Sequence, residues 1–327
     1  MSAAAEYDVV GVGNALVDVI SHADDRFIRR HELVKGSMTL VDTDRAMYLY
    51  RALGTAVEMS GGSAANTMTG VASFGGRAAY IGKVSDDELG EVFGHDLRAV
   101  GVQFRPGKPE GDVPTGRCII VVTPDAQRTM NTYLGVSSLL KPSDIDLDTV
   151  AAGLVLYMEG YLYDRPEAKE AFRVAAGAAH ASGRQVSLTL SDSFCVDRHR
   201  KDFSALVTDE VDILFGNEAE LLALYEVDSL DDAIDRVRHD CHLAVITIGA
   251  KGCVIVTEDG AHHAPAEPVD VVLDTTGAGD LFAAGFLYGY TRGRSLDECA
   301  RLGAVGAAEV ISHVGPRPLV ELRSLLS

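Results

Sequence analysis

The chain has 327 residues, 47% of them hydrophobic, and its 48 acidic and 29 basic residues give a formal net charge of −19. This length and apolar content suffice for a large buried core, arranged as one large domain or two smaller ones. The acidic balance argues against a surface for nucleic acids or anionic membranes. A polyanionic ligand remains compatible with it where basic residues or a divalent cation lie close by.

Cysteine usage and the N-terminus indicate the compartment. The five cysteines are scattered and form no C-x-x-C pair, which disfavours a disulfide framework or a zinc site and indicates a reducing compartment. Residues 1–8 lack the basic and apolar regions of a signal peptide. No apolar run is long enough to span a bilayer. We therefore expect a cytoplasmic protein with neither a membrane nor a nucleic-acid partner.

The first part of the chain predicts a strand, a polar excursion and two glycine-rich turns. Residues 8–14 form an apolar strand ending in glycines, but the Gly-x-Gly lacks the third glycine of a dinucleotide-binding fingerprint. Residues 16–20 alternate around Asp18, for which an exposed strand position is as good an explanation as a binding role. Residues 61–66 read G-G-S-A-A-N before a helical run, typical of a turn that approaches a ligand closely.

A β-hairpin and then a regular alternation follow. Residues 118–123 and 128–133 predict two strands joined by a turn. From residue 154 the chain alternates strands with helices, which predicts a parallel sheet covered by helices on both faces. The predicted strands are 154–158, 186–190, 211–215 and 244–248, and the predicted helices are 166–181, 201–207, 218–225 and 230–239. Ligands of such sheets bind at the carboxyl ends of the strands. Polar residues at those ends are Glu159, Asn217, Glu220 and Thr247.

The most informative stretch predicts an anion site before a buried helix. Residues 269–273 indicate the end of a strand, and an apolar segment typical of a buried helix follows Asp280. Small residues at Gly277, Ala278 and Gly279 let backbone N–H groups surround an anion at the helix N-terminus. A carboxylate beside that anion can accept a proton from a hydroxyl. The combination suggests phosphoryl transfer from a nucleotide to an alcohol, although a helix cap or tight turn explains either feature alone.

Residues 274–280 read D-T-T-G-A-G-D, which resembles the signature of the ribokinase-like (PfkB) carbohydrate and nucleoside kinases. Three further motifs resemble that family in its order: G-G-x-x-x-N at 61–66, N-x-x-E at 217–220 and T-x-G-x-x-G at 247–252. The resemblance covers about residues 7–316, and no Walker A motif is present. It implies a three-layer α/β/α core with a mostly parallel central sheet plus a small β-sheet lid. The implied core comprises residues 1–14, 61–112 and 136–327, and the lid 15–60 and 113–135.

The resemblance also implies roles for particular residues. Asp280 would be the general base, with Gly277, Ala278, Gly279 and Arg128 at the transferred phosphate. The substrate would contact Asn14, Asp18, Gly61, Gly62, Asn66, Glu159 and Tyr161. ATP would contact Asn217, Glu220, Thr247, Gly249, Gly252 and His313, with Glu220 acting on Mg²⁺ through water. Plainer explanations stay open: a surface cation for Arg128, a helix cap for Asn217 and Glu220, a glycine turn at 247–252 and a core histidine for His313.

The substrate class follows from finer similarities. Residues 13–18, 114–118 and 211–218 look most like adenosine kinases. The resemblance therefore implies an ATP-dependent kinase acting on the 5′-hydroxyl of a nucleoside, with adenosine first. Two departures weaken this: Glu159 stands where adenosine kinases usually have a small residue, and Thr189 where an Asn often holds the nucleotide.

Glu159 makes a sugar kinase the second hypothesis, because ribokinase-type sugar kinases use a Glu near that position. A non-catalytic ligand-binding protein is disfavoured, since Asp280 and its glycines are present. The sequence leaves open the exact acceptor, any dependence on K⁺ and the choice between monomer and homodimer.

Overall fold

A computed structural model describes residues 5–109, 111–125 and 127–326 of the chain. The expected placement of residues 1–4, 110 and 327 in the core, and of residue 126 in the lid, lies outside the described residues. Within them, two β-sheets form, and helices surround the larger one.

The strands and helices have the following bounds. In chain order the strands are β1 (Tyr7–Val12), β2 (Leu16–His22), β3 (Met38–Leu40), β4 (Ala56–Gly61), β5 (Ala78–Lys83), β6 (Gln103–Gly107), β7 (Gly116–Val122), β8 (Arg128–Tyr133), β9 (Gly153–Glu159), β10 (Gln185–Thr189), β11 (Ile213–Asn217), β12 (Leu243–Thr247), β13 (Cys253–Thr257) and β14 (Gly260–Ala264). The α-helices are α1 (Asp25–Arg30), α2 (Thr43–Ala52), α3 (Ser63–Ser73), α4 (Glu88–Ala99), α5 (Leu147–Ala151), α6 (Pro166–Ala181), α7 (Ser193–Glu210), α8 (Glu218–Tyr225), α9 (Leu230–Asp240), α10 (Ala278–Tyr290) and α11 (Leu296–Ile311).

The larger sheet has nine strands in the order β14-β13-β12-β11-β10-β9-β1-β5-β6. Its pairs are parallel except at β12–β13 and β13–β14. The chain first moves outward from β1 through β5 and β6, then returns to β9 on the other side of β1. The strand order therefore reverses between β1 and β9, which is where ligands bind in sheets of this kind.

Side chains of the larger sheet alternate between two apolar layers. On β9, Leu156 and Met158 join one core cluster with residues of α6, while Val155 and Tyr157 join the other with residues of α3 and α10. This alternation is the period-2 pattern of a strand buried on both faces. The predicted α/β fold with a mostly parallel sheet and a second, smaller sheet is confirmed.

The small sheet has five strands in the order β3-β8-β7-β2-β4. Strands β7 and β8 pair antiparallel, as the hairpin prediction requires, while β2 pairs parallel with β7. Val17, Val19 and Ile119 pack on the core on one face of this sheet. Cys118 and Ile120 lie on the other face, because successive strand residues point to opposite sides. The division of the chain into core and lid domains stays a prediction.

Several predicted boundaries need correction. The helices at 166–181 and 218–225 have the predicted bounds, whereas the helix predicted at 201–207 is the longer α7. The carboxylate of Asp192 accepts hydrogen bonds from the N–H groups of Phe194 and Cys195 at 2.8 and 3.2 Å, so the helix starts eight residues earlier. Non-helical backbone at His199, with φ −124°, kinks α7. The sequence pattern therefore predicted only the part of the helix that follows the kink.

The strand end predicted at residues 269–273 is wrong. That segment contains no strand, and the side chains of Val271, Val272 and Leu273 are 61%, 55% and 52% exposed. The N–H of Leu273 donates to the carbonyl of Ile311 at the end of α11, at 2.8 Å, and no strand of the described residues pairs with the segment. Apolar residues there resemble a strand in sequence but face solvent.

The cysteines and the helices bear on the expected compartment. Cys118, Cys195, Cys241, Cys253 and Cys299 are all buried and unpaired. In residues 5–109, 111–125 and 127–326, no helix combines the length and hydropathy needed to cross a bilayer.

Candidate active site

A cavity of about 1090 Å³ lies between the carboxyl ends of the large-sheet strands and the small sheet. The predicted site residues that line it are Asn14, Asp18, Gly62, Asn66, Glu159, Tyr161, Asn217, Glu220, Thr247, Gly277, Ala278, Gly279 and Asp280. Those that do not are Gly61, Arg128, Gly249, Gly252 and His313. Residues far apart in sequence thus meet along one edge of the sheet, which runs from the point where the strand order reverses to the end of β12. They do so because the carboxyl ends of parallel strands share that edge.

Asp280 lies in the first turn of α10 and is held by two side chains of α3. The Ser63 hydroxyl donates to Oδ1 at 2.6 Å, and the Asn66 amide donates to Oδ2 at 2.8 Å. Burial raises the pKa of Asp280, while Ser63, Asn66 and the positive charge of Arg317 act to lower it. Asp280 is half-buried and faces the cavity, and a carboxylate fixed by two donors there is suited to accept a proton from a bound hydroxyl.

The turn before α10 leaves its backbone open to the cavity. Gly277 has φ +81°, and a Cβ there would lie 2.9 Å from the Cα of Pro316, so only glycine fits. A Cβ on Gly279 would meet nothing within 4 Å, so the backbone is exposed to the cavity. The N–H groups at the start of this 13-residue helix carry partial positive charge, which favours a bound phosphate.

Asp18 on β2 presents a free carboxylate to the cavity. The residue is buried, which raises its pKa to about 6, and its carboxylate accepts no hydrogen bond from the described residues. Gly61 on β4, which pairs with Leu16, makes room for it, because a Cβ there would lie 2.6 Å from the carboxylate atoms. The sequence alternative of an exposed strand position is therefore wrong for Asp18.

Gly62 fixes the turn between β4 and α3. It has φ +97°, and a Cβ there would lie 2.2 Å from the carbonyl oxygen of Asn14. Close backbone contact and left-handed backbone both require glycine. We call residues 60–65, which include this position, the Gly-Gly turn.

Glu159 lines the cavity, but its carboxylate is already occupied. Oε1 accepts from the side-chain and backbone nitrogens of Asn14 at 2.8 and 3.3 Å, and Oε2 accepts from the N–H of Ala64 at 2.8 Å. Burial raises its pKa to about 7 although these three donors favour the charged form. Glu159 thus joins the ends of β9 and β1 to the start of α3.

Arg128, the first residue of β8, is not a surface cation. Its side chain is 8% exposed, and Nη1 donates to the carboxylate of Asp274. Asp274 also accepts from the N–H groups of Thr276 and Gly315 at 3.0 and 2.9 Å. The Nε and Nη2 atoms of Arg128 have no partner among the described residues. The side chain therefore joins the small sheet to the D-T-T-G-A-G-D loop, and two of its donors can still form hydrogen bonds.

Asn217 and Glu220 form a capping box at the start of α8. Asn217 Oδ1 accepts from the N–H of Glu220 at 2.9 Å, and Glu220 Oε2 accepts from the N–H of Asn217 at 3.0 Å. The helix-cap explanation is therefore correct, and both side chains also line the cavity. Burial raises the pKa of Glu220 to about 7.

Three residues expected near the nucleotide lie away from the cavity lining. Gly249 and Gly252, with φ of 62° and 102°, form the turn that joins β12 to β13. A Cβ on Gly252 would lie 2.1 Å from the carbonyl oxygen of Ala264, so the turn itself requires glycine. The Nε2 atom of His313 lies 3.3 Å from a carboxylate oxygen of Glu309. Local structure explains these residues without a ligand.

Sequence reasoning missed three residues of the site. Ser63 lies inside the G-G-x-x-x-N motif, and a hydroxyl in that motif could have identified it as a site residue. Phe194 lines the cavity with 72% of its surface exposed, and its position after an N-cap Asp gave only a weak signal. Arg317, whose charge acts on Asp280, lies in a region without any recognised motif.

Comparison with known proteins identifies the family. A model of the pfkB family of carbohydrate kinases matches residues 38–322. The chain belongs to this family. The predicted ribokinase-like fold and the predicted phosphotransferase activity on an alcohol acceptor are thereby confirmed for this pfkB-family kinase.

Solved structures and a curated relative are similar over almost the whole chain. The crystal structure of adenosine kinase from Sinorhizobium meliloti is 52% identical with a TM-score of 0.90, covering 98% of each chain. That of a probable sugar kinase from Rhizobium etli CFN 42 is 49% identical with a TM-score of 0.91, again covering 98% of each. Adenosine kinase from Saccharomyces cerevisiae is 28% identical over 94% of this chain and 96% of its own.

Proposed function

We propose that this pfkB-family kinase transfers the γ-phosphate of ATP to the 5′-hydroxyl of a nucleoside, with adenosine as the preferred acceptor. The observation that carries the proposal is the placement of Asp18 and Asp280 in one cavity. A free carboxylate accepts hydrogen bonds from two hydroxyls on adjacent carbons, and ribose presents such a pair beside a primary hydroxyl. The similarity to an adenosine kinase at 52% identity supports this choice.

In the proposed reaction, residues of this chain position the acceptor and hold its proton. Asp280 takes the proton of the 5′-hydroxyl while Ser63 and Asn66 keep its carboxylate in place. The N–H groups of residues 277–279 stabilise charge on the transferred phosphate. Arg128 is paired with Asp274 at the same loop, and its Nε and Nη2 atoms, which have no partner among the described residues, would donate to the transferred phosphate.

The base of the nucleoside needs an apolar or aromatic wall. Tyr161 and Phe194 line the cavity from the core, and Ile120 and Met130 line it from the small sheet. Small-molecule pockets usually enclose about 300–1,000 Å³, so a cavity of about 1090 Å³ has room for a nucleoside and part of ATP. These walls favour a substrate that carries a base over a free sugar.

We propose that Mg²⁺ accompanies ATP and contacts Glu220 through water. Glu220 lines the cavity, and within the described part of the chain no group of three or more His, Cys, Asp or Glu residues could hold a metal ion. A single carboxylate such as Glu220 fits Mg²⁺, because this ion keeps several of its waters and binds through few carboxylates together with the phosphates of a substrate. When bound, the ion neutralises charge on the phosphate that is transferred.

We also propose that residues 15–60 and 113–135 form a lid that closes over the substrate. Its strands contribute Asp18, Ile120 and Met130 to the cavity, so it covers the acceptor from one side. Amide hydrogen exchange in both stretches should slow at saturating adenosine. Unchanged exchange throughout them would contradict the lid.

We propose a cytoplasmic location for the protein, which the five unpaired cysteines support.

A sugar kinase is the second candidate function, favoured by the 49% identity to a probable sugar kinase. Glu159 supports it less than the sequence suggested, because Asn14 and Ala64 already occupy its carboxylate. The test is the ratio of kcat/KM for adenosine to that for ribose and fructose, scored by ADP release with an acceptor-free control. Stacking of the base, worth about 1–3 kcal/mol, predicts a ratio of at least about five. A ratio below one would overturn the nucleoside assignment and leave the kinase assignment standing.

A further inference from the structure

The guanidinium of Arg317 is bonded to both ends of the Gly-Gly turn. Its Nε and Nη2 atoms donate to the carbonyl of Ser60 at 3.2 and 2.9 Å, and Nη1 donates to the carbonyl of Ala65 at 3.0 Å. Nη2 also donates to the Ser60 hydroxyl at 3.1 Å. The opposite side of Ser60 is fixed as well, because its N–H donates to a carboxylate oxygen of Asp96 at 2.9 Å. The planar fork of an arginine thus spans the turn.

The residues between those two carbonyls shape the acceptor site. Gly61 makes room for the Asp18 carboxylate, and Ser63 donates to Asp280. A shift of the turn would therefore change the space beside the Asp18 carboxylate and the hydrogen bond that holds Asp280. Because misplacing reacting groups by about 1 Å can cost about a hundredfold in rate, the attachment of this turn matters for catalysis.

The charge of Arg317 acts on the same two carboxylates. It favours the ionised forms of Asp18 and Asp280, and Arg128 does the same for Asp18. Burial lowers the pKa of Arg317 to about 10, so it stays protonated at neutral pH. The charge of Asp280 also interacts with the carboxylates Asp18, Glu159 and Glu220, which oppose its ionisation when they are themselves ionised. It raises the pKa of the buried phenols Tyr157 and Tyr161, which are neutral at neutral pH.

We propose that Arg317 is a positioning residue for phosphoryl transfer, which clamps the Gly-Gly turn and supplies a permanent positive charge to Asp18 and Asp280. The inference rests on the proposed function. Its two parts are separable, because lysine keeps the charge but lacks the fork that bonds two carbonyls at once. Methionine keeps much of the volume and removes the charge.

The experiment compares Arg317→Lys and Arg317→Met with wild type, using the acceptor that wild type phosphorylates best. Choosing the acceptor this way separates failure of the nucleoside assignment from failure of this inference. Arg301→Met, at an exposed position of α11, is the matched control and should leave activity unchanged. The readouts are kcat, KM and the pH profile of kcat/KM.

Arg317→Met should lose at least about tenfold in kcat. The acid limb of its kcat/KM profile should move to higher pH by about one unit, which is the size of the pKa change that one nearby charge causes. The direction follows because losing a cation raises the pKa of both carboxylates, which must be ionised to act. Arg317→Lys should lose about tenfold in kcat through a looser turn, with its acid limb within about 0.3 units of wild type. If Arg317→Met does not fold, Arg317→Gln replaces it with the same expected shift.

Two results would overturn the proposal. Activity of both variants within about twofold of wild type would show that the clamp does not matter. An acid limb that stays in place in the neutral variant would show that the charge does not reach the carboxylates.

Discussion

Replacing Asp280 by asparagine tests the proposed chemistry with little change of shape. The carboxylate accepts from Ser63 and Asn66, and an amide of equal size can accept from one and donate to the other. The Oδ1 atom of Asn66, buried and without a partner among the described residues, is available to accept that donation after rotation of its amide. The Asp280→Asn variant should therefore fold. It should be at least as stable at neutral pH, because burial disfavours the ionised carboxylate that it removes.

The rate, in contrast, should fall steeply. An amide cannot take the proton of the acceptor hydroxyl, and general-base assistance is worth about a hundred- to ten-thousand-fold. At about 1.36 kcal/mol per decade, this corresponds to about 3–5 kcal/mol of lost transition-state stabilisation. The KM for adenosine should stay within a few-fold of wild type, since Asp18 rather than Asp280 is proposed to bind the ribose.

Initial rates of ADP release across a range of adenosine concentrations give kcat and KM, and thermal unfolding checks the fold. Asp270→Asn makes the same chemical change at an exposed position ahead of the signature and should behave as wild type. A folded Asp280→Asn variant with kcat within about threefold of wild type would show that this carboxylate is not the base.

The cavity walls, the Gly-Gly turn and the buried acids lead to three further predictions. Phe194→Ala and Tyr161→Ala should each weaken adenosine binding by about five- to a hundredfold, the scale of base stacking, as measured by calorimetry; unchanged affinity in both would refute an aromatic wall. Gly62→Ala should destabilise the fold by at least about 1–3 kcal/mol in denaturant unfolding, because its φ of +97° and the Asn14 carbonyl both exclude a Cβ; wild-type stability would contradict this account of the turn. Burial raises the pKa of Glu159 from 4.5 to about 7, so its contribution to the free energy of unfolding is present below pH 4.5 and is lost as the pH rises through about 7. The free energy of unfolding should therefore fall between these two pH values, and it should fall less in the Glu159→Gln variant.

Local signals in the sequence were enough to place much of the fold. Helix α8 begins where predicted because Asn217 caps it and Glu220 completes the capping box within three residues. The hairpin strand β8 has its predicted bounds for a similar reason, since a turn and strand-forming residues lie next to each other. Family motifs then placed Asp18, Asn66 and Asp280 in one cavity, although no local rule brings these segments together.

Contacts between distant residues were beyond such reasoning. Arg317 bonds to carbonyls 257 and 252 residues earlier in the chain, and a lone arginine near a C-terminus gives no sign of its partners. Arg128 was expected at a phosphate, and its pairing with Asp274 depends on how the small sheet meets the core. The prediction of a strand end at residues 269–273 fails because a hydrophobic pattern cannot show whether a neighbouring strand is present.

The rate at which each of the five buried thiols is alkylated measures how accessible its part of the chain becomes. Burial raises the pKa of Cys118 and Cys195 to about 12, so neither carries a reactive thiolate at neutral pH in the closed molecule. Cys118, in the small sheet, lines the cavity, whereas Cys299, in α11, does not. An alkylating reagent therefore reaches Cys299 only while the surrounding segment is open, and it can approach Cys118 through the cavity as well. The order in which these two are labelled distinguishes access at the cavity from opening around α11, without adding any probe to the protein.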